Sequence, residues 1–224
     1  NDDGWWRRPD AEGANEAVLC CVGDLMGEPK LQNANKYGDA FFMHPCFRFV
    51  RDILRSSDFA VGNLETTVTD RSPYACEAHI IEGKYHCNSP EAYLDALRYA
   101  GFDALVNANN HNCDSRAAGL IDTLKALDRH GFMHTGTFAS PDAERAVFAE
   151  VNGIRLAVLS YATYFNRNDG CFTPLGRKTL LNRYSADKAS NDIDYARKKG
   201  AEFVLVYTVS YTHLRAHETS QDLV

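Results

Sequence analysis

The feature that most constrains the fold is a series of short apolar runs separated by segments with helical periodicity. The runs Ala17–Val22, Phe59–Gly62 and Ala104–Val106 carry no charged residue, as expected of strands that are buried on both faces. Segments with capping residues, from Ser89 to Gly101 and from about Ser115 to His130, predict helices between such strands. Strands that alternate with helices favour a mainly parallel sheet covered on both faces.

The later part of the chain contains the strongest turn signal. Asn152-Gly153 lies between two apolar runs and predicts a β-hairpin with two antiparallel strands. The fold class predicted from all these segments is layered α/β, with a mainly parallel sheet plus a β-hairpin. The other predicted elements are a helix over Pro45–Arg55, strands over Phe132–Thr135 and Phe203–Tyr207, a helix from Ser185 to Gly200, and loops over 66–84 and 161–184.

Length and charge narrow the class of protein. The 224 residues suit one domain, and the net charge of −6 argues against a surface for nucleic acid or anionic membrane. No apolar run approaches the roughly 20 residues of a membrane-spanning helix. Neither a signal peptide nor an anchor is visible, which leaves the compartment open. The seven cysteines include no Cys-x-x-Cys pair. The disulfide that the sequence suggests for an oxidising compartment joins Cys76 and Cys87.

Polar side chains follow three of the apolar runs, at the point where each run ends. In open α/β sheets, ligands bind just beyond the carboxyl ends of the strands. Carboxylate oxygen, amide oxygen and imidazole nitrogen together suit Mn, Fe or Zn, and two such metals can clamp a nucleophilic and a leaving oxygen. We therefore expect a metal-binding site built from these residues: Asp24, Asn63, Glu65, Asn109, Asn110 and His111.

Three of these segments carry a family resemblance. They are Gly23-Asp24-Leu25-Met26, Gly62-Asn63-Leu64-Glu65-Thr66, and Asn109-Asn110-His111 with Asp114 and Gly119. With these motifs, and over roughly residues 17–207, the chain resembles the CapA family of capsule and poly-γ-glutamate biosynthesis proteins. That family is similar in turn to the calcineurin-like metallophosphoesterases, which implies a metallophosphatase-like fold.

The resemblance implies a role for each site residue. Asp24 corresponds to the first metal-binding aspartate, Glu65 or Asn63 to a bridging aspartate, and Asn110 to a metal-binding asparagine. His111 corresponds to the acid that protonates a leaving oxygen. The expected catalytic residues are thus His111 and Asp24, and the expected metal ligands are Asp24, Glu65, Asn110 and His111. Further polar residues are expected to line the pocket, namely Asn63, Asn109, Asp114, His134 and Tyr161.

The function implied by the resemblance is that of a phosphoesterase-like hydrolase or transferase in capsule or poly-γ-glutamate assembly. Such an enzyme would use a divalent metal, and the family is typically associated with the cell envelope. The alternative is a non-catalytic partner of a membrane synthase complex, whose pocket binds polymer carboxylates. The expected partners are therefore the polymer or its synthase complex. Stoichiometric metal would favour the enzyme over the binding partner.

The predicted boundaries follow from composition and from the resemblance. Residues 1–15 are polar and predict a flexible lead-in, and residues 16–208 are the expected CapA-like domain. The family carries His-Trp-Gly and later Gly-His-x-x-His after a strand like Phe203–Tyr207, whereas residues 209–224 contain neither. We therefore expect residues 209–224 to be a non-native tail, and we exclude His213 and His217 from the site. The domain is then expected to be incomplete at its C-terminus and to lack its later metal-binding histidines.

Overall fold

The computed structural model describes residues 4–7 and 16–210. The strands in chain order are β1 (Trp6–Arg7), β2 (Leu19–Leu25), β3 (Lys36–Tyr37), β4 (Ala40–Phe41), β5 (Phe59–Leu64), β6 (Thr67–Val68), β7 (Ile80–Ile81), β8 (Lys84–Tyr85), β9 (Asn88–Ser89), β10 (Ala104–Val106), β11 (Met133–Thr135), β12 (Val147–Val151), β13 (Ile154–Ala162) and β14 (Phe203–Val209). The helices are α1 (Pro29–Ala34), α2 (Arg51–Ser56), α3 (Ala92–Ala100), α4 (Arg116–Arg129), α5 (Pro174–Thr179) and α6 (Ala186–Lys198), with 3₁₀ turns at His44–Phe47 and Asn168–Cys171. Most of the predicted lead-in and tail, including His213 and His217, lies outside the described residues.

Two four-stranded sheets pack face to face at the centre of the molecule. The site sheet has the strand order β11-β10-β5-β2 and is parallel throughout. The hairpin sheet has the order β1-β12-β13-β14, in which β12 and β13 are antiparallel and the other pairs are parallel. Apolar side chains fill the space between the sheets, namely Phe59, Val61, Ala104 and Val106 from the site sheet and Val147, Ala149, Val151, Leu156 and Val158 from the hairpin sheet.

Helices cover the outer face of each sheet. On the site sheet, α3 and α4 bury Leu94, Leu97 and Leu120 against the strands. On the hairpin sheet, α6 packs Ala189 and Ala196 against the outward side chains of β13. The result is four layers in the order helix, sheet, sheet, helix, which confirms the predicted α/β fold with parallel strands and a hairpin. Within residues 4–7 and 16–210, no helix has the length and apolar character needed to cross a bilayer.

The strands form two sheets, where one sheet with helices on both faces was expected. The turn at Asn152-Gly153, with φ of 51° and 79°, pairs β13 back against β12 in the hairpin sheet. This sheet takes the place of helices on the inner face of the site sheet. The strand pattern could not reveal the difference, because an apolar face looks the same whether a helix or a sheet covers it.

Local signals placed most of the longer elements correctly. The end of α3 is Gly101, which adopts a φ of 111° that glycine tolerates well. The side-chain oxygen of Ser185 accepts a hydrogen bond from the Lys188 backbone N–H and caps α6 as predicted. Ser89, the predicted start of α3, lies instead in β9, where its Oγ is 2.9 Å from Thr66 Oγ1. The end of α3 and the start of α6 were thus predicted correctly, whereas the start of α3 was placed too early.

Short elements account for most of the remaining differences. The predicted helix over Pro45–Arg55 is a 3₁₀ turn followed by α2. Strand β1 lies within the predicted lead-in, and its Trp6 ring packs edge-on against Phe59. The predicted loop over 66–84 contains β6 and β7, and the predicted loop over 161–184 contains α5. Elements of this length are stabilised by tertiary packing rather than by their own propensity, so the sequence pattern gives little sign of them.

Candidate functional site

The carboxyl ends of three neighbouring strands meet at one edge of the site sheet. Strands β2 and β5 pair in parallel with Asp24 opposite Asn63, and β10 pairs with β5 with Val106 opposite Asn63. Gly62 leaves room for the Leu25 side chain of β2, because a Cβ atom at that position would lie 2.6 Å from Leu25 Cδ1. The parallel order of the sheet thus brings the residues that follow the three strands to one place.

The four predicted metal-site residues line one cavity of about 400 Å³, which we call the site cavity. The predicted members are Asp24, Glu65, Asn110 and His111. The rest of the wall comes from residues that were not predicted, namely Met26, Lys84, Tyr85, Tyr164 and Asn166. The fold therefore produces the expected convergence, while the binding of a metal stays a prediction.

Glu65 is a buried carboxyl group beside a second acidic residue. The residue is 6% exposed, and its Oε2 has no hydrogen-bond partner among the described residues. Burial, followed by the hydrogen bond and the negative charge of Asp24, raises the pKa of Glu65 to about 8. Two carboxyl groups held together, one with an unpartnered buried oxygen, are the arrangement that a divalent cation would relieve. The residues present therefore fit a hard or borderline metal ion.

His111 is oriented by Asp114. The Nδ1 atom of the ring lies 2.6 Å from Asp114 Oδ2, and the Asp114 side chain is fully buried. Burial lowers the pKa of His111, but the interactions with Asp114 and Cys87 outweigh it and raise the pKa to about 10. Because Nδ1 faces Asp114, Nε2 is the ring atom on the side of Glu65, 4.0 Å from its Oε1. The imidazole is thus fixed with Nε2 towards the other site residues.

Cys87 belongs to a second group of potential ligands. One atom each of Cys87, His111 and Asp114 lie within 4.8 Å of one another, an arrangement compatible with a divalent metal ion. The Cys87 backbone N–H also donates to Asp114 Oδ2 at 2.8 Å, and Asn168 Nδ2 donates to Asp114 Oδ1 at 2.9 Å. The thiols of Cys87 and Cys76 are both free, so the considered disulfide is not formed.

Asn63 and Asn109 support the site from behind and are not among the residues that line the site cavity. Asn63 Nδ2 donates to Asp24 Oδ1 at 2.9 Å, and Asn109 Nδ2 donates to Asn63 Oδ1 at 3.0 Å. Asn109 Oδ1 accepts from the His111 backbone N–H at 3.1 Å. This chain of hydrogen bonds links the turn that carries His111 to the carboxylate of Asp24.

His134 and Tyr161 lie away from the site cavity, which corrects their expected role as pocket-lining residues. His134 Nε2 is 3.1 Å from Asp128 Oδ1 of α4. Tyr161 lies on the outer face of β13, where its hydroxyl donates to Asp192 Oδ2 of α6 at 2.8 Å. Both residues lie within strands near the carboxyl end. Side chains alternate between the faces of a sheet, and these two point to the helical layers.

Several residues of the wall could not be identified from the sequence. Lys84 and Tyr85 belong to β8, which pairs with β7 in a short hairpin over a segment with no alternating pattern. Asn166 and Tyr164 come from the segment after β13 that was predicted as a polar loop. Asn166 Nδ2 reaches to 3.5 Å from His111 Nδ1. The sequence of a long polar segment does not indicate which of its residues will reach the site.

Comparison with known proteins identifies the family of this chain. The model of the bacterial capsule synthesis protein family PGA_cap matches residues 18–221, a range that extends beyond residue 208 into the predicted tail. An uncharacterized protein of Sinorhizobium fredii is 32% identical over 71% of this chain and 33% of its own length.

Two relatives have names that describe a function. The capsule biosynthesis protein CapA of Bacillus anthracis is 32% identical over 66% of this chain and 35% of its own length. The PGA biosynthesis protein CapA of Bacillus subtilis is 27% identical over 62% of this chain and 36% of its own length. The chain spans about a third of the length of the curated relatives it matches. The family match covers most of the chain, and the chain belongs to the bacterial capsule synthesis protein family.

Proposed function

We propose that this chain carries the metal-binding site of a phosphoesterase-like hydrolase or transferase that acts in capsule synthesis. The observation that carries the proposal is the buried Glu65 carboxyl group, whose Oε2 has no partner among the described residues and whose neighbours are Asp24 and His111. A buried carboxyl oxygen without a partner is costly to retain, so a ligand that pairs with it is expected.

The proposed ligands are the side-chain oxygens of Asp24, Glu65 and Asn110. They line the same cavity, and oxygen ligands of this kind, together with an imidazole, suit Mn, Fe or Zn. When bound, a metal of this kind supplies Lewis-acid activation of a water molecule. The hydrogen bond from Asn63 holds the Asp24 carboxylate in place, as partners of metal ligands commonly do.

His111 is proposed as the acid that protonates the leaving oxygen. Its Nδ1 is engaged by Asp114, which leaves Nε2 as the atom that can hold a proton towards a substrate in the site cavity. A carboxylate behind an imidazole fixes the orientation of the ring and favours its charged form. Asp114 is therefore a positioning residue, and His111 is the residue that transfers the proton.

The substrate class is proposed from the family and from the names of the relatives. Two relatives carry capsule or PGA biosynthesis in their names, which favours the capsule polymer poly-γ-glutamate, or a precursor of it, as the molecule handled. The proposed partners are this polymer or its synthase complex. A phosphoester in such a molecule would be the reacting bond.

Metal titration tests the site directly. We expect isothermal titration of the metal-free chain with Mn²⁺ to show saturable binding that weakens at least about tenfold in Glu65→Gln, because one charged ligand is lost. The matched control is Glu16→Gln, which alters an exposed carboxylate outside the site cavity. Equal affinity in the two variants would refute the assignment of Glu65 as a ligand.

Leaving-group dependence tests the role of His111. Phenyl phosphate has a poorer leaving group than 4-nitrophenyl phosphate, so its hydrolysis depends more on an acid. With Mn²⁺ present, His111→Asn should slow phenyl phosphate hydrolysis about a hundredfold and affect the activated ester much less. An equal loss on both substrates would contradict the role of His111 as the acid.

A further inference from the structure

A second cavity lies directly beside the site cavity. Its volume is about 540 Å³, and we call it the adjoining cavity. The two cavities share Lys84 and Tyr85 of β8 as a common wall. Asp114 lines the adjoining cavity and His111 lines the site cavity, so their 2.6 Å hydrogen bond connects the two. A molecule in the site cavity could therefore extend into the adjoining cavity past Tyr85.

The charge of the adjoining cavity is unlike that of the protein as a whole. The chain carries a net charge of −6, whereas four cationic side chains line this cavity, namely Arg71, Lys84, Arg116 and Arg167. Two of them are neutralised, since Arg71 pairs with Asp122 and Arg116 pairs with Glu82.

The other two cations have no acidic partner in the part of the chain that the structure describes. Lys84 Nζ donates to the neutral amide oxygen Asn168 Oδ1 at 3.0 Å. For Arg167, the described residues provide no hydrogen bond or ion pair. Two such cations on the wall of one cavity favour an anionic ligand there.

His86 provides a further indication of a ligand. The side chain lines the adjoining cavity and is 4% exposed, yet its Nε2 has no hydrogen-bond partner among the described residues. A buried nitrogen of this kind normally has a partner in the protein or in a bound molecule. His86 lies two residues from Lys84, so the same segment offers a charge and a directed hydrogen bond.

Backbone strain is concentrated around the two cavities. The described residues include five non-glycine residues with positive φ, and four of these line one of the cavities: Glu82 (51°), Arg116 (62°), Asn166 (47°) and Arg167 (58°). Asn166 lines the site cavity and Arg167 the adjoining cavity, so two consecutive left-handed residues serve both. Such conformations are costly and cluster where function requires a side chain in a fixed direction.

We propose that the adjoining cavity binds an oxyanion, a phosphate or carboxylate group, on the part of the substrate that extends beyond the reacting bond. This inference rests on the proposed function of the site cavity, because it assigns the neighbouring cavity to the same molecule. Lys84 and Arg167 pair with the anionic group, and His86 donates a hydrogen bond to it from Nε2. All three residues act in binding and specificity rather than in the chemical step.

Anion binding by the metal-free chain tests the proposal separately from the metal site. Protein freed of metal on a chelating resin is titrated with tripolyphosphate in one arm and with a γ-linked glutamate trimer in the other. The test variant is Lys84→Gln with Arg167→Asn, since asparagine tolerates the left-handed backbone at that position. The control variant is Lys125→Gln with Lys178→Gln, which removes the same charge from exposed positions outside the cavity.

We expect the test variant to bind its preferred probe about tenfold more weakly than the wild type, and the control variant to bind as the wild type does. The arm with the tighter binding identifies the phosphate or the carboxylate as the group recognised. Equal affinity in the test and control variants, or no binding of either probe by the wild type, would overturn the proposal. Mn²⁺ titration of the same preparations measures metal binding and not anion binding, so a failure of the proposed function is seen separately.

Discussion

Glu65 makes the stability of the metal-free protein depend on pH. Burial and the neighbouring Asp24 raise its pKa from 4.5 to about 8. Between these two values the folded state holds a proton that the unfolded state has lost. The free energy of unfolding should therefore fall as the pH rises from about 4.5 to about 8, and the loss should be complete above that window.

The magnitude follows from the size of the shift. Each pH unit inside the window changes the free energy of unfolding by at most about 1.4 kcal/mol. Because the site cavity admits water and the surrounding charges relax, we expect a total loss of about 2 kcal/mol between pH 5 and pH 8. Glu65→Gln stays neutral throughout, so this part of the loss should be absent in the variant.

Urea unfolding at several pH values measures the effect. The stability of Glu65→Gln relative to the wild type should increase by about 2 kcal/mol from pH 5 to pH 8 in metal-free buffer. Saturating Mn²⁺ should remove the advantage, because the cation then stabilises the charged carboxylate. The control Glu16→Gln should follow the wild type at every pH. Parallel curves for the wild type and Glu65→Gln would refute the reasoning.

Two other substitutions test the orientation of His111 and the close packing at Gly136. Asp114→Asn should lower the rate of phenyl phosphate hydrolysis about tenfold or more and shift its pH profile, because the His111 ring loses the carboxylate that orients and charges it; an unchanged profile would contradict this role. Gly136→Ala should lower the free energy of unfolding by about 3 kcal/mol, since φ is 119° and the new Cβ would lie 2.3 Å from the Ala108 backbone nitrogen. Gly131→Ala has an open surrounding at φ 68° and should cost only about 1 kcal/mol, so equal urea midpoints for the two would count against the packing argument.

The predictable part of the site was the part that follows buried strands. Asp24, Glu65 and Asn110 come a few residues after the ends of apolar runs, and parallel strands bring their carboxyl ends to one edge. That rule needs only the order of strands and helices. The resemblance of these segments to CapA proteins assigned roles to the same residues, and the family match bears the resemblance out.

The unpredictable part depends on long-range packing. Lys84 and Tyr85 reach the site because a short hairpin folds over it, and Asn166 because the backbone after β13 turns through two left-handed residues. His134 was assigned to the pocket by its place near a strand end, but its side chain pairs with Asp128 of α4. Sequence position places a residue at an edge of a sheet, while the face and the loop path are settled by tertiary contacts.

The division into two sheets has the same origin. The apolar faces of β5 and β10 predicted burial, and burial was found. The cover on their inner face is β12 and β13, which lie far along the chain. A pattern of apolar residues reports how much surface is buried and cannot report which element buries it.

The position of a bound metal tests the central claim most directly. Crystals of the chain soaked in Mn²⁺ can be measured by anomalous scattering, which locates the ion without assumption about its ligands. We predict a peak in the site cavity within about 2.0–2.4 Å of oxygen atoms of Asp24, Glu65 and Asn110. A peak between Cys87, His111 and Asp114 with none in the site cavity, or no peak at saturating Mn²⁺, would contradict the account.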